Sequence, residues 1–306
     1  MISRPGKHRF RVQTDDGERI HIVHLPEQYD GTTPIPMVMV LHGGGGSARF
    51  AYRVHQWPEL SNRETCLIVF PEATLEDPAR PASIRDNLRL WNDGSQRSAV
   101  ARRDVHDSAY LATVMDAVQA NFAIDPNRVF VTGFSNGASM TFRVGIELAD
   151  RVTAIAPVAG HLCIKDPRPA RPISMLYMIG RADPINPPQG GFVTTPWGTR
   201  RNKPPIMDSV MTWVRLVGAS EHPRSTRVNN GVERIDYGPG TAGCTVRLYM
   251  IDGQGHEWPG AERTLPSVIS GPQTDKLNAT QVIWNFFRAA SDPCGHHDDS
   301  GCPRRC

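Results

Sequence analysis

The chain has 306 residues and a net charge of +3; 39% of its side chains are apolar and 21% charged, with 27 glycines and 26 prolines. That is the composition of a turn-rich, soluble globular protein with enough chain to bury a full core. The small charge and the lack of any Lys/Arg-rich run argue against nucleic-acid or membrane-surface partners. The opening "MISRPGKHRF" has no apolar stretch behind its charges and no 18-residue apolar run occurs anywhere, so neither a signal peptide nor a membrane span is expected.

Strand-like and helix-like segments then alternate. Residues 9–14 ("RFRVQT") and 19–25 ("RIHIVHL") flank Asp16-Gly17 and read as an antiparallel hairpin. The apolar runs 35–42 and 66–72 read as strands buried on both faces. A helix is expected over 107–122, with Leu111, Val114, Met115, Val118 and Phe122 on one stripe and Asp107 as N-cap. Strand 128–134, helix 136–149 and strands 152–160 and 173–180 follow. A Pro/Gly-rich stretch from Asn186 to Pro205 precedes helix 207–218, strand 245–253 and a last helix over 278–290. This rhythm predicts an α/β fold: a mainly parallel twisted sheet with helices on both faces and an N-terminal antiparallel hairpin. No repeat or long linker divides it, so the expected organisation is a tail over 1–8, one domain over 9–290 and a second tail over 291–306.

The six cysteines show no repeated spacing, and Cys66 opens the run "CLIVF" as a small buried hydrophobe would. The end of the chain, "CGHHDDSGCPRRC", carries three Cys and two His. No neighbouring segment could fold around a metal there, which favours a frayed polar tail over a metal site. No metal and no cofactor is expected.

The segment "GFSNG", residues 133–137, joins the strand "RVFVTGF" to a helical pattern. A strand that runs straight into a helix reverses in very few residues, and small residues two before and two after the tip let the two elements pack that closely. This is the nucleophile elbow, with Ser135 raised above the carboxyl edge of the sheet at a helix N-terminus. A structural turn is the competing reading.

A serine hydroxyl needs a base, oriented by an acid, and on this scaffold the partners follow in the order serine, acid, histidine. Asp183, in "GRADPINP" after the strand 173–180, and His256, in "GQGHEWPG" after the strand 245–253, fill those places. Asp252 is a rival acid, but four residues before His256 it would have to fold back on its own loop. For the oxyanion, "LHGGGGSA" (41–48) supplies bare backbone, so the N–H groups of Gly44 and Asn136 are the expected donors. A phosphate-binding loop would need a Gly-Lys-Ser/Thr ending or a dinucleotide spacing, and neither is present. His42 reads as a brace for the glycine loop rather than as a base. Between Asp183 and Met207, Phe192, Val193 and Trp197 suit a fixed wall beside the cleft, and the six prolines and three glycines there forbid a helical lid.

With these residues in place, the sequence from Arg9 to Ala290 resembles the α/β-hydrolase esterases grouped as polyhydroxybutyrate depolymerases and feruloyl or acetylxylan esterases. The resemblance rests on "LHGGGGSA", "FPEA" (70–73), "WNDG" (91–94), "IDPNRVFVTGFSNGASM" (124–140), "GRADPINP" (180–187), "GQGHEWPG" (253–260) and "ATQVIWNFF" (279–287). It implies carboxylic ester hydrolysis through an acyl-enzyme at Ser135, Asp183 and His256, on short-chain, feruloyl-type or hydroxyalkanoate esters. It also implies that Trp91 and Trp258 wall the substrate cleft, although either could be core. Cysteine pairs found in many relatives are missing: Ser95-Gln96-Arg97-Ser98 and Ala219 stand where cysteines are expected, which would leave Cys244 unpaired. This tilts the expectation toward an intracellular enzyme, or a secreted one if the chain is a mature form. A serine peptidase or amidase using the same triad, and a hydrolase-like binding protein without turnover, stand as alternatives; the oligomeric state is not legible.

Overall fold

A computed structural model describes residues 4–96, 98–195 and 198–291. Trp197 and the Cys/His tail from 292 onward lie outside the described residues.

One ten-stranded sheet organises the chain. Its order is Gly6–Thr14, Gly17–Leu25, Leu67–Pro71, Ile35–Leu41, Ile124–Phe134, Ala154–Val158, Ser174–Gly180, Val246–Ile251, Val232–Tyr237 and Ser225–Asn229. The six strands from Leu67–Pro71 to Val246–Ile251 are parallel. Every residue of Ile35–Leu41, Leu67–Pro71, Ala154–Val158 and Ser174–Gly180 is buried, as unbroken apolar runs require of strands covered on both faces. Side chains alternate between the faces. Phe130 stacks on Phe287 of the helix Ala279–Ser291 (ring centroids 4.6 Å). On the opposite face Ile155, paired in register with Val131, meets Gly145 of the helix Asn136–Glu147, which carries Phe142 against Trp213 of the helix Ile206–Leu216. Among the described residues no helix is long and apolar enough to cross a membrane.

Several expectations are corrected. The first strand already begins at Gly6, with Lys7 and His8 paired to His24 and Val23, so the stretch expected as a tail over 1–8 is partly strand. The helix Asp107–Asn121 is preceded by His106, which makes Asp107 its first residue rather than its cap. The Asp107 carboxylate turns inward instead, accepting from Arg19 Nη2 at 2.8 Å and from the Asn92 N–H at 2.7 Å. The helices Ala48–Val54 and Trp57–Glu64 were not read from sequence, although Ser47 caps the first (Phe50 N–H to Oγ, 3.1 Å) and Pro58 sits in the first turn of the second. The antiparallel pair Ser225–Asn229 and Val232–Tyr237 was also missed, and so was the hairpin Gly191–Thr194/Arg200–Lys203 inside the Pro/Gly-rich stretch.

Among the buried histidines of the described residues, three are shifted far from their ordinary value. Burial lowers His21 and His42 to about 4 and His55 to about 3 from the ordinary 6.5. Their folded pKa values lie below the unfolded ones, so the unfolded chain takes up protons that the native state refuses. The stability linked to these groups is full above pH 6.5 and is lost as pH falls from about 6.5 toward 4. Three protons correspond to a slope on the order of 4 kcal/mol per pH unit near pH 5. Urea titrations at pH 7, 6, 5.5 and 5 should therefore show a steep fall in unfolding free energy; constant stability across that range would mean the imidazoles are not held neutral.

Candidate active site

The register of Ile35–Leu41 beside Ile124–Phe134 aligns Leu41 with Gly133, so the glycine loop leaves the sheet next to the elbow. Ser135 sits at φ 55°, ψ −117°, a region that strains any residue with a side chain. It is held there by close backbone approach on three sides. A methyl on Gly133 would stand 2.5 Å from the Gly137 carbonyl oxygen, and one on Gly137 would stand 2.4 Å from the carbonyl oxygens of both Leu41 and His42. One on Gly160 would come within 2.6 Å of the Ser135 carbonyl oxygen. The Ser135 N–H donates to the carbonyl of Val158 in the neighbouring strand (2.9 Å).

Two more strand ends bring in the partners. His256 Nε2 lies 2.9 Å from Ser135 Oγ, and its Nδ1 lies 2.7 Å from Asp183 Oδ2. The other carboxylate oxygen of Asp183 accepts the N–H groups of Ile185 (2.8 Å) and Asn186 (2.7 Å). Burial would raise the Asp183 pKa. The adjoining imidazole and the two backbone donors outweigh it and hold the carboxyl below its usual value, hence ionised. With an ionised acceptor at Nδ1, the ring keeps its proton there and Nε2 is left to accept from the serine. The rival acid, Asp252, pairs with Arg181 Nε at 2.9 Å and stands half exposed, away from the imidazole.

The two partner loops are tied together. Ala182 N–H donates to the Gln254 carbonyl (3.0 Å) and Arg181 N–H to that of Ile251 (2.9 Å). A methyl on Gly180 would meet the Gln254 carbonyl oxygen at 2.0 Å. Behind His256, its own N–H donates to Ser270 O (2.5 Å), and the buried Glu257 carboxylate accepts the N–H groups of Thr264 and Leu265 and the Thr264 hydroxyl (2.7 Å).

Asn136 heads the helix Asn136–Glu147, so its N–H has no partner within that helix. Gly44 is close by: its methyl would lie 3.7 Å from Asn136 Cβ. His42 Nε2 accepts the Ala73 N–H (3.0 Å), which leaves Nδ1–H to donate to the Gly43 carbonyl (2.8 Å). His42 thus braces the loop with both ring nitrogens. Trp91 and Trp258, expected as cleft walls, are 1% and 2% exposed. The Trp91 indole donates to the His42 carbonyl (2.9 Å), while its backbone N–H and C=O are both engaged by the Asn136 carboxamide. Trp258 stacks on His55 (4.3 Å) and donates to Thr280 Oγ1 (3.0 Å). Both indoles support the site from beneath, because each ring N–H finds its acceptor in the interior. Phe192 and Val193 form part of the 191–194 strand, with Phe192 exposed. Among the described residues no cluster of three His, Cys, Asp or Glu side chains could hold a metal ion.

No family model matches the chain. In structure it is similar to the acetyl xylan esterase from Aspergillus awamori, at a TM-score of 0.57 and 14% identity over 81% of this chain and 94% of that one. The fold is that of an α/β-hydrolase. In sequence the chain is similar to feruloyl esterase B of Piromyces equi, 25% identical over 240 residues (77% of this chain, 42% of the relative). It is also similar to the probable feruloyl esterase C of Aspergillus niger, 25% identical over 281 residues (89% of this chain, 84% of the relative). The chain thus spans less than half of the first relative and most of the second.

Sequence alone did not single out the Asn136 carboxamide, Asp93, Gln254 or Glu257. Asp93 Oδ2 accepts from Asn136 Nδ2 at 3.0 Å, and no local pattern announces a contact across 43 residues. The elbow makes a direct test possible. Gly137→Ala drives a methyl into two carbonyl oxygens of a central strand end, backbone that cannot swing aside, and should cost about 3 kcal/mol. Thermal melts should show a drop of several degrees, whereas Ala138→Gly in the same turn, which removes a buried methyl without adding a clash, costs about 1–2 kcal/mol in helix propensity and lost burial. Equal effects from the two would refute the close-approach account.

Proposed function

We propose that this α/β-hydrolase is a serine carboxylic ester hydrolase acting through an acyl-enzyme, with Ser135 as nucleophile, His256 as general base and acid, and Asp183 as its orienting carboxylate. The observation that carries the reading is the continuous contact from Asp183 Oδ2 to His256 Nδ1 (2.7 Å) and from His256 Nε2 to Ser135 Oγ (2.9 Å). Ser135 Oγ attacks the ester carbonyl carbon and its proton passes to Nε2. The carbonyl oxygen becomes an oxyanion facing the N–H groups of Gly44 and Asn136 at the positive end of the helix. The tetrahedral adduct then collapses, Nε2–H protonates the departing alkoxide, and the acyl group stays on Ser135. Water, deprotonated by the same imidazole, repeats the sequence and releases the acid.

The esterase names of the relatives support ester rather than amide substrates, and acetyl and feruloyl-type esters are the classes to which they point. A peptidase or amidase would use the same three groups, and a matched ester and amide pair separates the two.

Ser135→Ala and His256→Ala should each remove nearly all turnover, approaching ~10⁶-fold, with the double variant no worse than either single one. Asp183→Asn should cost about 10⁴-fold in kcat. Unchanged circular dichroism would locate these losses in chemistry. Near wild-type activity of Asp183→Asn alongside an inactive Asp252→Asn would reassign the acid.

The stretch that could host a lid, between Asp183 and the helix Ile206–Leu216, carries a short β-hairpin rather than an amphipathic helix among its described residues. An open cleft working on dissolved substrate follows. Initial rates should favour p-nitrophenyl acetate or butyrate over palmitate and show no rise as substrate passes its solubility limit; a preference for palmitate, or a jump at that limit, would sink it.

A further inference from the structure

Leu90 lies between the two proposed oxyanion donors, and both of its flanks are fixed. The carbonyl of Arg89 accepts the Gly45 N–H (2.8 Å), while Trp91 N–H donates to Asn136 Oδ1 (2.8 Å) and Asn136 Nδ2 donates back to the Trp91 carbonyl (3.2 Å). Residue 90 is therefore bolted to the glycine loop on one side and to the residue after the nucleophile on the other. Its backbone also pairs with Thr74.

The side chain packs against the glycine loop at Gly44. A methyl on Gly44 would stand 2.9 Å from Leu90 Cδ2, so a Leu90 methyl lies directly over the glycine whose N–H is the proposed donor. Leu90 is half-buried and so keeps part of its surface open, while its neighbour Leu88, against Gly45, is buried. A group attached to a carbonyl carbon at this spot has two directions to take. The alkoxide oxygen must face His256 Nε2 to collect its proton. The imidazole is packed against Phe134 (4.8 Å) and Asp183, whereas the Leu90 methyl is placed against Gly44. The acyl substituent is thus the one that meets Leu90.

We propose that Leu90 is the specificity-determining wall of the acyl subsite and narrows it to short, unbranched acyl groups such as acetyl, a claim that rests on the ester-hydrolase reading above. A rigid wall of this kind discriminates by volume. Each additional carbon forced against it loses binding in the transition state, and trimming the wall restores room.

The experiment compares wild type, Leu90→Ala and Leu90→Phe in two series. One varies the acyl group at constant leaving group (p-nitrophenyl acetate, butyrate and hexanoate; methyl acetate and methyl ferulate). The other varies the alcohol at constant acetyl (phenyl and naphthyl acetate). Leu90→Ala should raise the hexanoate-to-acetate and ferulate-to-acetate ratios of kcat/KM about tenfold, and Leu90→Phe should lower them, with the alcohol series shifting less than about twofold. Ratios unchanged in both variants, or a shift confined to the alcohol series, would overturn the assignment. If Leu90→Ala does not fold, Leu90→Val takes its place with a smaller rise expected. A wild type inactive on every ester would refute the ester-hydrolase reading itself. In that case the rates at which p-nitrophenyl methyl- and hexylphosphonates label Ser135 in the same proteins carry the Leu90 test, since the alkyl group enters the same subsite without turnover. Absence of labelling in every variant overturns both.

Discussion

The constraint on which the rest depends is steric: the chain at Ser135 turns from strand to helix in a space that leaves no room for a side chain at 133, 137 or 160. Backbone in the region of φ 55°, ψ −117° costs on the order of 1–3 kcal/mol and persists only where its surroundings permit nothing else. Here the surroundings are backbone carbonyl groups of Leu41, His42, the elbow and the first helical turn, 2.4 to 2.6 Å from where a β-carbon would lie. The central sheet stores the strain, and the burial of its strands on both faces makes the storage affordable. What the strain provides is a hydroxyl clear of the sheet edge with the first N–H of a helix beside it. Relaxing the turn would move both groups together.

Around that fixed point the loops hold their shapes through buried carboxylates rather than regular secondary structure. Asp183 gathers the N–H groups of Ile185 and Asn186, Glu257 those of Thr264 and Leu265, and Asp107 that of Asn92. A buried carboxylate is costly unless its oxygens are satisfied, and charge-assisted bonds to backbone donors are among the strongest available. Each acid therefore rigidifies one loop at the carboxyl edge. Asp183 alone also reaches the imidazole, so the group that orders its loop is the one that orients the ring. His42 does for the glycine loop, with a neutral ring, what the acids do elsewhere.

The central strands were legible because burial on both faces leaves a continuous apolar run, a signal that survives without knowledge of the neighbours. The elbow and the order Ser135, Asp183, His256 were legible for a related reason: each residue follows a recognisable strand at the edge where such loops collect. The outer pair Ser225–Asn229 and Val232–Tyr237 was not, because the first strand is largely exposed, the second is only partly buried, and neither carries a regular apolar alternation. Its turn did carry a signal. Asn230-Gly231, with φ of 48° and 70°, is the two-residue hairpin that Asn-Gly favours. Trp91 and Trp258 misled in the opposite direction. An indole beside a glycine loop or a histidine loop suits a cleft wall as well as a buried brace, and only the position of an acceptor for the ring N–H separates the two. Those acceptors, the His42 carbonyl and Thr280 Oγ1, are 49 and 22 residues away.

That buried placement of the tryptophans bears on how the site reads its substrate. Were the indoles exposed, aromatic stacking would be the natural source of selectivity, and bulky aryl acyl groups the natural preference. With both rings beneath the floor, the half-buried Leu90 and the Phe134 ring are among the side chains near the elbow, the latter occupied against His256. On the proposed reading, selectivity comes from exclusion by a small aliphatic wall rather than from attraction by a flat ring. The Asn136 carboxamide joins the two: one side chain holds Trp91 under the floor and, through the same backbone segment, keeps Leu90 in front of the oxyanion donors. Floor, wall and donor are positioned by a single set of hydrogen bonds, so a change at Trp91 that loosens the Asn136 clamp should be felt as altered acyl preference as well as slower chemistry.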